Sequence, residues 1–482
     1  MFLNWLLVFS ALPFLAYSKS YNRPAAKVRL TKKGIDYLNE VGKRLLTKEL
    51  KQIELRDVKR KFRKGKVELY QMNLEEVGPI SAAVLLTPPH TVGWKVKATK
   101  IAIKGRWKGK YKQNRFLKIS ESGGFRVEAK NLELSLSFAL RKNIQGQPEA
   151  YDVRSSAFID DLDVEFLGGI ASWILNRFQD KVSDALMPVI EETLQKELIE
   201  FGNDQLNEEL RKLTTRSGAQ KMLNIDYTLT DAPAVGENYI EMLHKGIKTR
   251  DYIDDSQTPF EPKELGNFDG NKRMLYLWVS DYVLNSWLYH AHLKNISRIS
   301  LDRKSFPNLA THFNLNCPYW QICLGSIFPE LAELYPGYEA QIHLRTTSPP
   351  KARFSSRNAS IAGNVSIDIP IHKGNESLSL LTFQVRLNST ATTYINDSKI
   401  MAAIHISELT VDWVESRESW LRDPANLQEI MDFALGLIQH RINEMLGRGA
   451  KFPNTKSVRV TDVDLKFVPG ALEVASDFVH IL

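Results

Sequence analysis

Residues 91–112 read Thr-Val-Gly-Trp-Lys-Val-Lys-Ala-Thr-Lys-Ile-Ala-Ile-Lys-Gly-Arg-Trp-Lys-Gly-Lys-Tyr-Lys. Val92, Trp94, Val96 and Ala98, then Ile101 and Ile103, stand two apart, the period of a β-strand with one face turned to a core. From Lys104 the other side carries Lys104, Arg106, Lys108, Lys110 and Lys112, followed by Arg115 and Lys118, while Trp107 and Tyr111 fall on the opposite face. Like charges adjacent on one strand face repel. Five in a row therefore point to an anionic partner rather than to folding stability.

The same period returns on both sides of this stretch. Val67, Leu69, Met72 and Leu74 precede it, and Leu132, Leu134, Leu136 and Phe138 follow; residues 361–371, 378–387, 404–414 and 458–468 repeat the theme. Three segments change to helical spacing. Ile35, Leu38, Val41, Leu45, Leu46, Leu50 and Ile53 form one stripe, with Thr31 placed to cap it. A second begins near Gly169 and marks every fourth position from Ile170 through Phe178, Val182, Leu186, Ile190 and Leu194 to Leu198. A third follows Asp423-Pro424 and stops at Gly447 and Gly449. Helix and strands thus alternate twice, which predicts two related halves. Residues 249–272, rich in Asp, Pro and Gly, read as a linker. The expected division is a signal peptide at 1–18, a first half at 19–248, the linker, and a second half at 273–482.

A formal charge of +8 over 482 residues conceals an uneven distribution. Residues 19–130 hold 29 Lys and Arg against 10 Asp and Glu, a net of +19, and the remainder is net −11. A second cationic segment, Lys59, Arg60, Lys61, Arg63, Lys64 and Lys66 around Gly65, reads as a hairpin tip. Residues 1–18 carry no charged side chain and end in Ala16 and Ser18, so cleavage before Lys19 and secretion are expected. The sequons at Asn295, Asn358, Asn364, Asn375, Asn388 and Asn396 fit that compartment, as does a disulfide between Cys317 and Cys323. Export argues against nucleic acid and leaves anionic lipid, lipopolysaccharide phosphates or sulfated glycan as the partner class.

An enzyme is not indicated, because the chain lacks a G-x-S-x-G elbow, an H-E-x-x-H helix and a Gly-rich phosphate loop. His290 and His292 alternate on what reads as a strand, but no nearby Cys, Asp or Glu completes a metal set, and two cysteines cannot build a zinc site alone. No cofactor is expected.

Several segments together resemble the family of bactericidal/permeability-increasing protein, lipopolysaccharide-binding protein, phospholipid transfer protein and cholesteryl ester transfer protein, the lipid-binding serum glycoproteins. They are Val28–Tyr37 with Lys48–Lys51, Ile103–Lys108, Arg115–Lys118, Arg273–Leu277 with Ser280–Tyr282, Leu427–Met431 and Arg441–Glu444. The resemblance implies an α+β fold, an elongated boomerang of two similar barrel domains, each a twisted antiparallel sheet with long amphipathic helices, joined by a central sheet. It also implies an apolar pocket in each half for phospholipid tails, with Leu38, Leu45, Phe178 and Val182 as candidate lining. The family's first-half disulfide has no counterpart, since the matching positions near Arg154 and Gln195 are not cysteine. Strand and helix there are expected to be held by packing alone, with a looser pocket as the result.

The function that follows is a secreted lipid-binding or lipid-transfer protein in the setting of innate immunity. Its expected partners are phospholipid or lipopolysaccharide, anionic membrane surfaces or lipoprotein particles, with a monomer as the expected state. A cation near an anionic surface contributes about 1 kcal/mol and a buried methylene roughly 0.8 kcal/mol, so a tail of about 16 carbons outweighs the basic patch. The alternative is an extracellular binder of sulfated glycan or another polyanion, without lipid cargo.

Overall fold

A computed structural model describes residues 23–62, 65–112, 118–168, 176, 179–212, 225–247, 258–304, 311–317, 320–396, 399–451 and 458–481. The chain opens with strand β1 (Ala26–Thr31) and helix α1 (Lys32–Leu50). Thr31 starts the helix as predicted, its hydroxyl accepting from the Gly34 amide. Eight strands then form one antiparallel sheet: β2 (Glu54–Leu55), β3 (Val58–Phe62), β4 (Gly65–Val77), β5 (Ile80–Thr87), β6 (Thr91–Lys112), β7 (Lys118–Lys142), β8 (Pro148–Phe158) and β9 (Asp161–Leu167). Helix α2 (Gln179–Glu200), a π-helical turn (Phe201–Gln205) and α3 (Leu206–Lys212) pack back on it.

Strands β10 (Ile225–Leu229), β11 (Ala234–Val235) and β12 (Tyr239–Ile247) come next, then β13 (Leu275–Ser280) and helix α4 (Asp281–Leu293). The second eight-stranded sheet contains β14 (Ile299–Leu301), β15 (Glu339–Ala340), β16 (Ile342–Thr346), β17 (Lys351–Phe354), β18 (Ala359–Lys373), β19 (Glu376–Asn396), β20 (Lys399–Ser416) and β21 (Ala450–Lys451). Short helices α5 (Leu324–Ile327) and α6 (Pro329–Leu334) and the long α7 (Pro424–Leu446) accompany it, and β22 (Val458–Val468) and β23 (Ala471–His480) close the chain. A third sheet has the order β10-β12-β1-β13-β23-β22, with β11 on β12. The first and last described strands therefore share one sheet, with β13 between β1 and β23.

At about 3.4 Å per residue, the 22-residue β6 reaches roughly 70 Å. Its buried set changes parity along the way, from Val92, Val96 and Ala98 to Ile101, Ile103 and Trp107. Partner β7 changes with it, from Leu132, Leu134 and Leu136 to Phe125, Val127 and Ala129. The switch falls at Asn131, whose φ of 51° is a left-handed conformation that Asn tolerates. Helix α2 buries Val182, Leu186, Ile190, Leu194 and Leu198 against this sheet, the predicted stripe, and runs through Pro188. In the second half α7 buries Ile430, Met431, Ala434 and Ile438.

A curled sheet that does not close leaves edge backbone unpaired, and four asparagines on four helices address those edges. Asn207 of α3 accepts from the Ala150 amide of β8 at 2.7 Å and donates to the Ala150 carbonyl at 2.9 Å. Asn443 of α7 does the same for Ile404 of β20, at 2.7 and 3.0 Å, and Gln439 accepts from the Ile406 amide at 2.8 Å. Asn285 of α4 clasps Ala352 of β17 at 2.7 and 2.8 Å. Asn39 of α1 donates to the Ala82 carbonyl of β5 at 2.9 Å and accepts from the Trp94 indole at 2.9 Å. Asn207, Asn443 and Asn285 thus make the same two-bond clasp on one edge residue each, and Asn39 makes half of it.

One expectation is corrected here. Strand and helix in the first half are not held by packing alone: the Ser155 hydroxyl donates to the Gln195 carbonyl at 3.0 Å, and Glu191 accepts from the Ile159 amide at 2.9 Å. These hydrogen bonds lie near Arg154 and Gln195, the positions where the resembled family would carry a disulfide and this chain has no cysteine. His290 and His292 also depart from the expected strand, since both lie in α4. Segment 258–272, the described part of the expected linker, lies against the third sheet. Arg29 donates to the Phe268 carbonyl at 2.8 Å, and the Phe268 ring stacks on Trp278 at 5.3 Å.

Replacing Asn207, itself buried, with Leu would strand the Ala150 N–H and C=O. Unsatisfied buried groups cost about 1–3 kcal/mol each, so Asn207→Leu is expected to lose about 2–4 kcal/mol in denaturant unfolding. The exposed Asn131→Ala should lose less.

Candidate functional site

The cationic segments meet because β3, β4 and β6 are neighbours in one sheet. Their register creates two rungs across the outer face. Lys59 stands opposite Glu68, and Glu68 opposite Lys108. One step nearer the tip, Lys61 stands opposite Lys66 and Lys66 opposite Lys110. Residues opposite one another share a face, so these six side chains lie on one surface, all but the half-buried Glu68 exposed. Lys112 continues it, also exposed.

The two rungs differ in compensation. Glu68 reaches Lys59 at 3.4 Å and Lys108 at 3.2 Å, and Lys108 also sits 4.9 Å above the Tyr70 ring. Partial desolvation pushes the Glu68 carboxyl up, but hydrogen bonds from Lys108 and Lys59 and their charges outweigh it and hold the group below its ordinary value. Lys104 pairs with Glu75 at 3.1 Å. Lys61, Lys66, Lys110 and Lys112 have no carboxylate partner among the described residues. The tip is thus a rung of three lysines with no carboxylate to neutralise it among the described residues.

Beneath this face Trp107 is fully buried, edge-on to Phe166 at 5.9 Å, with its indole donating to the Leu167 carbonyl at 3.4 Å. Gly105 allows that floor to close: a Cβ there would meet the Phe125 ring at 2.6 Å. The Trp107 side of 104–108 is therefore core, which fixes Lys104, Arg106 and Lys108 outward.

The remaining predicted residues scatter. Arg60 is exposed but stands opposite the buried Val67, on the core-facing side of edge strand β3, so it does not share the lysine face. Arg63, Lys64, Arg115 and Phe178 lie outside the described residues. Leu38 and Leu45 are half-buried on α1, while Val182 is sealed in the first-half core. Cys317 and Cys323 form a disulfide. Asn295, Asn364, Asn375, Asn388 and Asn396 are exposed and Asn358 is half-buried. His292 bonds Thr346 at 2.7 Å, and no group of three or more His, Cys, Asp or Glu among the described residues could hold a metal. No helix among them is long and apolar enough to cross a membrane. The residue missed from sequence is Glu68, although its outward parity with Lys66 on β4 could have revealed it.

Three antiparallel sheets with long helices make an α+β fold, and one of the sheets carries the cationic rung. The family model for the LBP / BPI / CETP family, N-terminal domain, matches residues 34–210, and that for its C-terminal domain matches 217–480; the chain belongs to this family. The bactericidal permeability-increasing protein of Sebastes schlegelii is 23% identical over 485 residues, 98% of each chain. The lipopolysaccharide-binding protein of Homo sapiens is 24% identical, over 92% of this chain and 91% of its own. The crystal structure of a lipopolysaccharide binding protein matches with a TM-score of 0.62 at 21% identity, covering 95% of this chain and 100% of that one. The expected fold class, two twisted antiparallel sheets with long helices and a central sheet, is the one observed.

Removing the shared acid should free two lysines, so Glu68→Gln is expected to tighten binding to anionic vesicles several-fold in a co-sedimentation assay. Because the carboxyl titrates below its ordinary value, the bridge persists in mild acid and is lost as pH falls through that lowered value. Wild-type and Glu68→Gln affinities should converge only at a pH below the ordinary glutamate range.

Proposed function

We propose that this protein is a secreted lipid-binding or lipid-transfer protein that docks through its cationic first-half tip on anionic amphiphiles, lipopolysaccharide or acidic phospholipid, and carries acyl chains in apolar pockets. The observation that carries this reading is the uncompensated rung Lys61–Lys66–Lys110 on a surface whose reverse side is core. Relatives named for lipopolysaccharide binding and for bactericidal permeability increase support the partner class. On this reading the protein is a carrier and not an enzyme. Leu38 and Leu45, half-buried on α1, are the candidates for contact with a tail, and the exposed sequons face water. The first half (19–248) docks, and the glycosylated second half (273–482) follows across the linker.

Lysines and tail divide the work. Charge sets where the protein lands, and apolar burial decides whether lipid leaves the surface. Neutralising Lys61, Lys66 and Lys110 together to Gln removes about 3 kcal/mol of surface attraction, roughly 100-fold in affinity for anionic vesicles. Lipid co-purifying with the variant, read by mass spectrometry after extraction, should be unchanged. Binding to sulfated glycan that disappears at high salt, with protein always recovered empty of lipid, would instead favour a polyanion binder.

A further inference from the structure

Behind the lysine tip, on the same outer face, the sheet is opened by a defect. Tyr70 of β4 stands opposite Arg106 and Asn73 opposite Lys104, so Gln71 and Met72 together face the single residue Gly105. Met72 turns into the core. Gln71 is exposed and holds a φ of 54°, a left-handed conformation uncommon for a residue that is neither Gly nor Asn. On the other side of β4 the edge is interrupted between β2 and β3, where Asp57 sits. Bulge and gap together leave a groove of about 610 Å³.

Its lining is polar and carries both signs. Glu54 and Asp57 come from the edge side, Lys104 and Arg106 from β6, and Gln71 and Asn73 from β4 between them. Glu54, Asp57 and Arg106 are exposed and have no side-chain hydrogen bond or ion pair among the described residues, although they line one groove. Acid and base are kept apart by the width of β4, which puts the strands carrying them two ladder spacings, about 9.5 Å, apart. Opposite charges held across a concave site, with Glu54, Asp57 and Arg106 unpaired among the described residues and Lys104 shared with Glu75 at 3.1 Å, suit a ligand that is itself dipolar. A purely anionic one would be repelled from the carboxylate wall.

We infer that this groove binds the zwitterionic head group of a phospholipid, a phosphodiester bearing an ammonium: Arg106 and Lys104 take the phosphate, and Asp57 and Glu54 take the ammonium. The inference rests on the reading that the first half docks on lipid surfaces, and it adds a second recognition element. The lysine tip responds to net negative charge, while the groove selects a neutral head group of fixed dipole. A membrane mixing anionic and zwitterionic lipid would engage both.

The test uses the full chain and two soluble probes, glycerophosphoethanolamine and glycerol phosphate, followed by calorimetry, with vesicles of phosphatidylethanolamine and phosphatidylglycerol as the membrane arm. Wild type is expected to bind glycerophosphoethanolamine saturably and more tightly than glycerol phosphate. Glu54→Gln with Asp57→Asn should weaken the ethanolamine probe roughly fivefold and leave glycerol phosphate equal or tighter. Arg106→Gln should weaken both. If the double carboxamide variant tightens both probes, the carboxylates are only background charge and the inference is overturned. Absence of saturable binding by wild type overturns it too. Binding of the soluble probe without any preference for phosphatidylethanolamine vesicles overturns the membrane assignment. The Lys61, Lys66 and Lys110 variant keeps the two readings apart: unchanged binding to phosphatidylglycerol vesicles removes the docking proposal, whatever the groove does. Matching thermal melts establish that each variant is folded.

Discussion

Each half of this molecule is a sheet that curls without closing, and the unpaired backbone at its edges is what the helices must answer. An edge N–H or C=O facing a packed helix loses water and needs a partner. Asn207, Asn443 and Asn285 meet this by presenting an amide to both backbone groups of one edge residue, the same pairing that another strand would make. The helix thereby acts as a final strand at one point and as apolar packing along the rest of its length. Asn39 gives half of this bond to Ala82 and uses its oxygen for Trp94, which ties α1 into the interior of the sheet. On β6 the side turned away from the core carries the exposed Lys104, Arg106, Lys108 and Lys110.

That outer side is where the charge lies. Strand pairing sorts the cations more finely than composition does. Lys59 and Lys108 are drawn to Glu68, whereas Lys61, Lys66 and Lys110 form a rung with no acid. A one-residue slip in the β3–β4 hairpin would turn the lysine face inward. The buried Trp107, wedged against Phe166 behind Gly105, resists such a slip on the neighbouring strand because its large side chain has only one side on which it fits. Surface charge and core packing are therefore two consequences of one register.

Much of this was legible in local pattern. Alternation located β4, β6, β7, β18, β19, β20 and β22, and four-residue spacing located α2 and the stripe of α7, because one-sided burial imposes its period on the chain. His290 and His292 were misread because two residues two apart suit a strand as well as a helix. The helix is decided by β13 ending at Ser280, where the Asp281 amide bonds the Gly470 carbonyl of the far C-terminal hairpin. Arg60 was grouped with its neighbours because sequence gives the charge but not the side of the edge strand from which it escapes. The held strand and helix near Ser155 and Gln195 escaped notice because a serine hydroxyl meeting a helix carbonyl leaves no mark in composition.

By itself the sequence determined the long strands, the stripes of α1, α2 and α7 and the face on which Lys104, Arg106, Lys108 and Lys110 lie, since these follow from periodicity over adjacent residues. The tertiary structure alone decided which cations stay unneutralised, where the bulge at Gln71 opens the sheet, and how the edges are sealed. The physical reason is range. Glu68 lies 40 residues from Lys108, Asn207 lies 57 from Ala150, and Asp57 and Arg106 share a groove only through the strand between them. Those pairings depend on register across strands, which no local period encodes.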